Sequence, residues 1–319
     1  MRRRVALAPL AAFLLVSAGC GGSPAPVQQN ASGADKVTVG VIPIVDVAPI
    51  YLGKQLGYFS DAKIDLTLVQ AQGGAAIVPA VVSGQEQFGF SNMTSLMLAQ
   101  SKGLGLKVVA AGNSSTGKAG ADFSAVVVRG DSTIKTAADL EGKTVSINTL
   151  KNIGDTTVRA SVRKAGGDPD KVKFTELALP DMGPALANKR IDAAWLVEPF
   201  LTAALNSGDR AIAWNLVDTS PGLMIAAYFT SARFMTANPD LVQRFAAAVN
   251  KSLEYANSHP DEVRKILPTY TKINAETAAK LTLPAWPTQI NRQSTEVLAQ
   301  LAVDDGLMAT KPDLNTLLP

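Results

Sequence analysis

From residue 36 onward, short β-branched runs alternate with segments whose apolar residues recur at helical spacing. This alternation predicts an α/β protein with mostly parallel sheets. Residues 37 to 92 read as strand (VTVGVIP), loop (IVDVA), helix (PIYLGKQLGYF), strand (IDLTLVQ), loop (AQGG), helix (AAIVPAVVSG), strand (QFGF) and loop (SNMTS). Residues 144 to 199 follow the same order with TVSIN, TLKNIGD, TTVRASVRKAGG, VKFTELA, LPDMG, PALANKR, IDAAWL and VEP. Two βαβαβ units of similar length therefore lie about a hundred residues apart, each able to close a sheet through right-handed crossovers. In open α/β sheets, ligands sit beyond the carboxyl ends of the strands, beside helix N-termini. Two such units face to face converge six loops on one ligand, as a clamshell does.

After the second unit, Pro221 to Phe234 reads as another strand and the rest as helices. Asn238 is placed to cap the helix that Pro239 starts, and Leu241, Phe245, Val249 and Leu253 give that helix one apolar face. Packing this tail back on the first unit makes that lobe discontinuous. The expected division is 36–120 plus 235–319 for lobe 1 and 121–234 for lobe 2, about 280 residues that exceed one ordinary core.

The start of the chain reads differently. Arg2, Arg3 and Arg4 precede an apolar run from Val5 to Val16, then Ser17-Ala18-Gly19 and Cys20. Residues 1–19 have the layout of a secretory signal peptide. VSAGC is similar to a bacterial lipobox, which makes Cys20, the only cysteine, the expected site of lipid attachment, carrying diacylglycerol or palmitate chains. Residues 20–35 then form the lipidated end and a Gly, Ser and Pro rich tether. The 30 basic and 27 acidic side chains differ by the three leader arginines, so the mature protein is near neutral and carries no basic patch for nucleic acid.

Little in the sequence supports catalysis. The only histidine, His259, lies between two tail helices, so neither a Ser-His-Asp set nor a histidine metal site can be assembled, and no metal or cofactor is expected. The segment Gly112 to Ala119, GNSSTGKA, approaches a phosphate-binding P-loop, but Ala119 replaces the required hydroxyl and a strand follows instead of a helix. Its place between LKVVAAG and AVVVRG suits its glycines to a hinge. Carboxylates do fall in the cleft loops: Asp46, Asp155, Asp181 and Glu198. Asp46 and Asp155 precede helices, so each is a cap, a ligand contact or both. Trp195 is either core or a stacking platform, and Gln72-Gly73-Gly74 permits close backbone approach or simply a tight turn.

The runs DVAPIYLGKQLGYF (Asp46 to Phe59), AQGGAA, VVSGQEQFGFSN, DLEGKTVSINT, IDAAWLVEPF and NPDLVQRF, in this order and spacing, resemble the nitrate/sulfonate/taurine group of ABC-transporter solute-binding proteins. That group shares its fold with binding proteins for the thiamine pyrimidine precursor. The resemblance implies a type II periplasmic-binding-protein fold, two α/β lobes with a ligand cleft and a hinge. It also implies a small solute (sulfonate, aromatic acid or pyrimidine-like) delivered to an ABC permease and its ATPase by a monomer anchored outside the cytoplasm through lipid. By position, the ligand loops of the first lobe match Asp46, Gln72, Gly73, Gly74, Ser91, Asn92, Thr94, Asn113 and Ser114. Those of the second match Thr149, Asn152, Asp155, Thr156, Trp195 and Glu198. The loops lean acidic and amide-rich, which disfavours an anionic solute. Two alternatives are a ligand-sensing lipoprotein and a precursor-synthase-like enzyme, the latter requiring a cleft histidine.

Overall fold

The computed structural model describes residues 27–319; the leader, Cys20 and the first part of the tether lie outside the described residues. The strands, in chain order, are β1 (Asp35–Val41), β2 (Ile64–Gln70), β3 (Phe88–Asn92), β4 (Leu106–Ser114), β5 (Ser124–Val128), β6 (Thr144–Ile147), β7 (Lys173–Glu176), β8 (Ala193–Val197), β9 (Arg210–Ala213) and β10 (Met224–Ser231). They form two five-stranded sheets, ordered β2-β1-β3-β10-β4 and β7-β6-β8-β5-β9. β1 runs parallel to β2 and β3, and β6 runs parallel to β7 and β8, as the duplicated unit requires. This is the two-lobe type II arrangement.

The duplication extends further than the sequence pattern indicated. In each sheet the fourth strand is antiparallel and sits on the far side of a crossing in the chain: β5 pairs with β8 and β9, and β10 pairs with β3 and β4. The expected division assigned 121–234 to the second lobe, yet β10 lies inside the first sheet. An apolar strand buried on both faces, as β5 and β8 are, signals a covered central position but carries no mark of which sheet accepts it.

The two crossings are residues 115–123 and 214–223. In the first, the buried Asp122 accepts from Ser115 Oγ (2.6 Å), the Thr116 amide (2.9 Å) and the Phe123 amide (3.0 Å), holding the loop in shape. The glycines of GNSSTGKA serve two purposes. Gly117 has φ of 74°, which suits a turn, whereas Gly112 lies within β4, where a Cβ would stand 2.6 Å from the Ala226 carbonyl oxygen of β10. Gly112 is thus a close-packing residue and not a hinge.

The tail packs on the first lobe as expected, with Pro239–Ser258 against the helix Ala48–Gln55 and against β4. Phe245, from the tail helix, stacks on Phe88 of β3 with ring centroids 3.8 Å apart. Asn238 does not cap this helix, because its side chain donates back to the Phe234 carbonyl of the preceding short helix. The helix Leu179–Ala187 starts one turn before the expected PALANKR, since Pro180 is tolerated in a first turn. The end of the tether is also fixed: Gln29 Nε2 donates to Asp35 Oδ1, and Asn30 Oδ1 accepts from the Ser32 and Ala34 amides.

Candidate functional site

The carboxyl ends of β1, β3, β6 and β8 meet where the two lobes face each other. There they enclose a cavity of about 40 Å³ lined by Ile42, Ile44, Asp46, Phe90, Asn92 and Asn148, and by Ile153, Trp195, Val197, Leu216, Ile225 and Ala226. The lining is apolar apart from one carboxylate and two amides. A water-sized group needs roughly 10–15 Å³, so in this closed arrangement the space accepts only a few heavy atoms.

Asp46 lies in a 3-10 turn, Val45–Val47, ahead of the helix Ala48–Gln55, and it caps nothing. The tail holds this turn: Trp286 Nε1 donates to the Asp46 carbonyl (3.0 Å) and the Tyr270 hydroxyl to the Ile44 carbonyl (3.0 Å). The Asp46 side chain is 3% exposed. Its Oδ2 accepts from Asn113 Nδ2 at 2.7 Å, while Oδ1 has no hydrogen-bond partner. Burial pushes its pKa up to about 7; the Asn113 hydrogen bond opposes this, and the charge of Asp122 adds a smaller upward push.

Further unpartnered polar atoms lie close by in the fold. Ser91 Oγ, Thr94 Oγ1, Asn113 Oδ1, Asn148 Oδ1 and Tyr228 Oη are all buried without hydrogen-bond partners. Buried polar groups are paired in the great majority of cases, so the orphans that line the cavity, Asp46 Oδ1 and Asn148 Oδ1, mark a place where something else supplies the partners.

Other expected residues serve different ends. Gln72 is exposed, and Gly73 and Gly74 begin the helix Gly74–Ser83. A Cβ on Gly74 would stand 2.2 Å from Ser91 Oγ, and one on Gly73 would stand 3.4 Å from Thr149 Oγ1 across the cleft. Asn92 caps the helix Met93–Ser101 by accepting from the Ser95 amide, and it also lines the cavity. Asn152, at the start of Ile153–Lys164, reaches across to the first lobe, its Nδ2 donating to Ser95 Oγ at 2.8 Å. Thr156 Oγ1 donates to the Asn152 carbonyl, and Ser114 joins Ala285 of the tail by a pair of backbone hydrogen bonds.

Asp155 and Glu198 are both engaged within the protein. Asp155 is paired with Arg159 Nε at 2.6 Å, one helical turn on, and Arg159 also bonds Asp170. Glu198 accepts from the Thr202 amide (3.0 Å), Thr202 Oγ1 (2.7 Å) and the Thr282 amide (3.2 Å), which ties the second lobe to the tail. Its burial raises the pKa and the hydrogen bonds from Thr202 and Thr282 oppose that. Asp181 is on the surface near Thr144 and Asn188, away from the cleft. Trp195 is both core and wall. Its Nε1 donates to Ser124 Oγ at 2.9 Å, its ring lies against Gly154, and it still lines the cavity.

Sequence reasoning missed Asn148 and the apolar lining from Ile42, Ile44, Phe90, Leu216, Ile225 and Ala226. The position of Asn148 directly before Thr149 was an available signal; Ile225 and Ala226 had none, because β10 joins the cavity only through its crossing.

Residues 44–263 match the family described as NMT1/THI5 like. The chain belongs to that family. The relative named "Putative aliphatic sulfonates-binding protein" from Bacillus subtilis (strain 168) is 23% identical over 264 residues, covering 79% of this chain and 74% of that protein. Among solved structures, the alkanesulfonate-binding protein SsuA from Xanthomonas axonopodis pv. citri bound to MOPS superposes with a TM-score of 0.76 at 18% identity, over 89% of this chain and 98% of that one. The desulfurization enzyme DSZB superposes at 0.64 and 16% identity, over 88% and 95%. At these identities the structures share a fold, and one of them is an enzyme.

Proposed function

We propose that this chain is the extracytoplasmic solute-binding component of an ABC importer, which closes its two lobes on a small organic solute and presents it to a membrane permease with its ATPase. The observation that carries this reading is the interlobe cavity, with apolar walls and unpartnered buried polar groups at the facing strand ends of two lobes joined by two crossings. Relatives that bear the names of binding proteins support it. The lobes part to admit any solute larger than the closed cavity. Attachment through lipid on Cys20 keeps the protein, as a monomer, near its permease.

A binding role is favoured over the enzymatic one by the placement of His259. It stacks on Tyr255 with ring centroids 3.8 Å apart, and its Nδ1 lies 2.9 Å from the Tyr255 carbonyl oxygen at an exposed helix end. The cleft wall therefore holds no imidazole.

Screening the purified protein against sulfonates, aromatic acids, amines, aminopyrimidines and nitrate by thermal shift tests the reading. A solute at a hundred times its Kd adds about 2.7 kcal/mol. Catalytic turnover of a screened compound, with no compound raising the melting temperature, overturns it.

A further inference from the structure

Asp46 sits in the interlobe cavity with no cation to balance it. Among the described residues no lysine or arginine lines the cavity, and the titratable groups whose charges act on Asp46, or on which its charge acts, are Asp122, Tyr228 and Tyr270, none of them cationic. The Tyr270 hydroxyl donates to the Ile44 carbonyl, Asp122 accepts from Ser115, and Asn113 is the side chain that donates to Asp46, at Oδ2. Of the unpartnered polar atoms, Asp46 Oδ1 and Asn148 Oδ1 belong to residues that line the cavity and Asn113 Oδ1 lies on the side chain bonded to Asp46, whereas the hydroxyls of Ser91, Thr94 and Tyr228 belong to residues that do not line it. A sulfonate or nitrate brings only acceptors. Placed here, it would set negative charge beside Asp46 and pair none of the three oxygens.

A basic nitrogen answers the same inventory. A protonated amine or amidine offers two or more N–H donors and a positive charge, and a charge-assisted hydrogen bond to a carboxylate is about twice as strong as a neutral one. The helix start at Gly73-Gly74 does not line this cavity, and the two starts that do, at Asn92 and Ile153, have an amide already taken by a capping side chain: Asn92 accepts from Ser95 and Asn152 from Ile153. The flat face of Trp195 and the side chains of Ile153 and Phe90 are left for an apolar body, and they also favour a cation held near an aromatic ring.

We propose that the solute enters this cleft with a basic nitrogen, a protonated amine or amidine, placed against Asp46 and donating to the acceptors around it. This rests on the solute-binding reading and narrows it to a cationic or donor-headed class. Because the Asp46 carboxyl has a pKa of about 7 in the free protein, binding a cation expels a proton below that pH.

Calorimetric titration with alkyl and arylalkyl amines and with amidines, set against sulfonates of matched carbon skeleton, tests the assignment. The expected result is binding in the nitrogen series, about tenfold tighter at pH 8 than at pH 6. Asp46→Asn should lose at least tenfold in affinity and flatten that pH profile. Binding of sulfonates, with Asp46→Asn neutral or improved, overturns the proposal and leaves the solute-binding function intact. Failure of both series overturns the proposal as well. If no compound of the wider screen binds either, the solute-binding function falls with it.

Discussion

Asn152 of the second lobe donates to Ser95 Oγ of the first at 2.8 Å, and both side chains are buried. Each belongs to the start of a helix, so closing the cleft brings two helix starts together through one amide and one hydroxyl. Such a bond exists only when the lobes are shut, and its removal favours the open form. Ser95→Ala is expected to weaken solute binding by roughly three- to tenfold, from about 1 kcal/mol of lost hydrogen bonding. Small-angle scattering of the unliganded variant should show a larger radius of gyration. An unchanged affinity and radius would mean that this bond does not contribute to closure.

A second cross-lobe tie lies farther from the cavity. Arg163, on the helix Ile153–Lys164, pairs with Asp305 just past the tail helix Arg292–Asp304, and the Asp305 side chain is fully buried. Taking away the guanidinium leaves a buried carboxylate uncompensated. Arg163→Met is therefore expected to lower affinity by at least tenfold without touching solute, mainly through faster dissociation, which stopped-flow measurement reads directly.

Asp46 burdens the free protein in a pH-dependent way. Its carboxyl titrates near 7 in the fold against 3.8 in the unfolded chain, so between those values the folded state holds a proton that the unfolded state has released. Stability from this group is accordingly present at low pH and lost as pH rises through 7, by up to about 4 kcal/mol. Asp46→Asn should melt higher than the parent at pH 8, by roughly 2–4 kcal/mol in stability, and the difference should shrink toward pH 4. A variant that is less stable at pH 8 would show that the carboxylate supports the fold. A residue that weakens the fold at a cleft is the pattern that binding sites follow.

Gly154 lies under the ring of Trp195, where a Cβ would stand 2.7 Å from Cε3. Gly154→Ala has to move either the indole or the start of its helix, at a cost of about 1–3 kcal/mol. Denaturant unfolding should record that loss together with a changed tryptophan emission. Weaker solute binding beyond the stability loss would report that the indole is also a wall of the site.

Under the proposed attachment through lipid on Cys20, Cys20→Ser is expected to move the protein from the membrane to the soluble fraction. Detergent partitioning checks this. Membrane retention of the variant would rule out lipid at that position.

The strands that lie close together in sequence were legible, because parallel βαβ units write themselves in alternating periods over about thirty residues: β2 coincides with IDLTLVQ, and β8 overlaps IDAAWL and runs one residue beyond it. Pairings over longer separations were not. β10 reads locally as any buried strand, and its place between β3 and β4 follows from a return crossing about 110 residues after β4 ends. The same distinction separates the acidic residues. The engagement of Asp155 was available in the i, i+4 spacing to Arg159, whereas Glu198 is occupied by an amide 84 residues away. The setting of Asp46 depends on Asn113, on Trp286 and on a cavity lining that, among the described residues, includes no lysine or arginine, which only the folded chain defines.

The exchange of strands between sheets sets an order for assembly. Every strand of the second sheet lies between residues 124 and 213, so that lobe is complete once this stretch is available. The first sheet has a gap between β3 and β4 until residues 224–231 arrive, although its other four strands come earlier in the chain. The lobe that begins first finishes last, and a chain truncated before Met224 yields a folded second lobe attached to an unfinished first one.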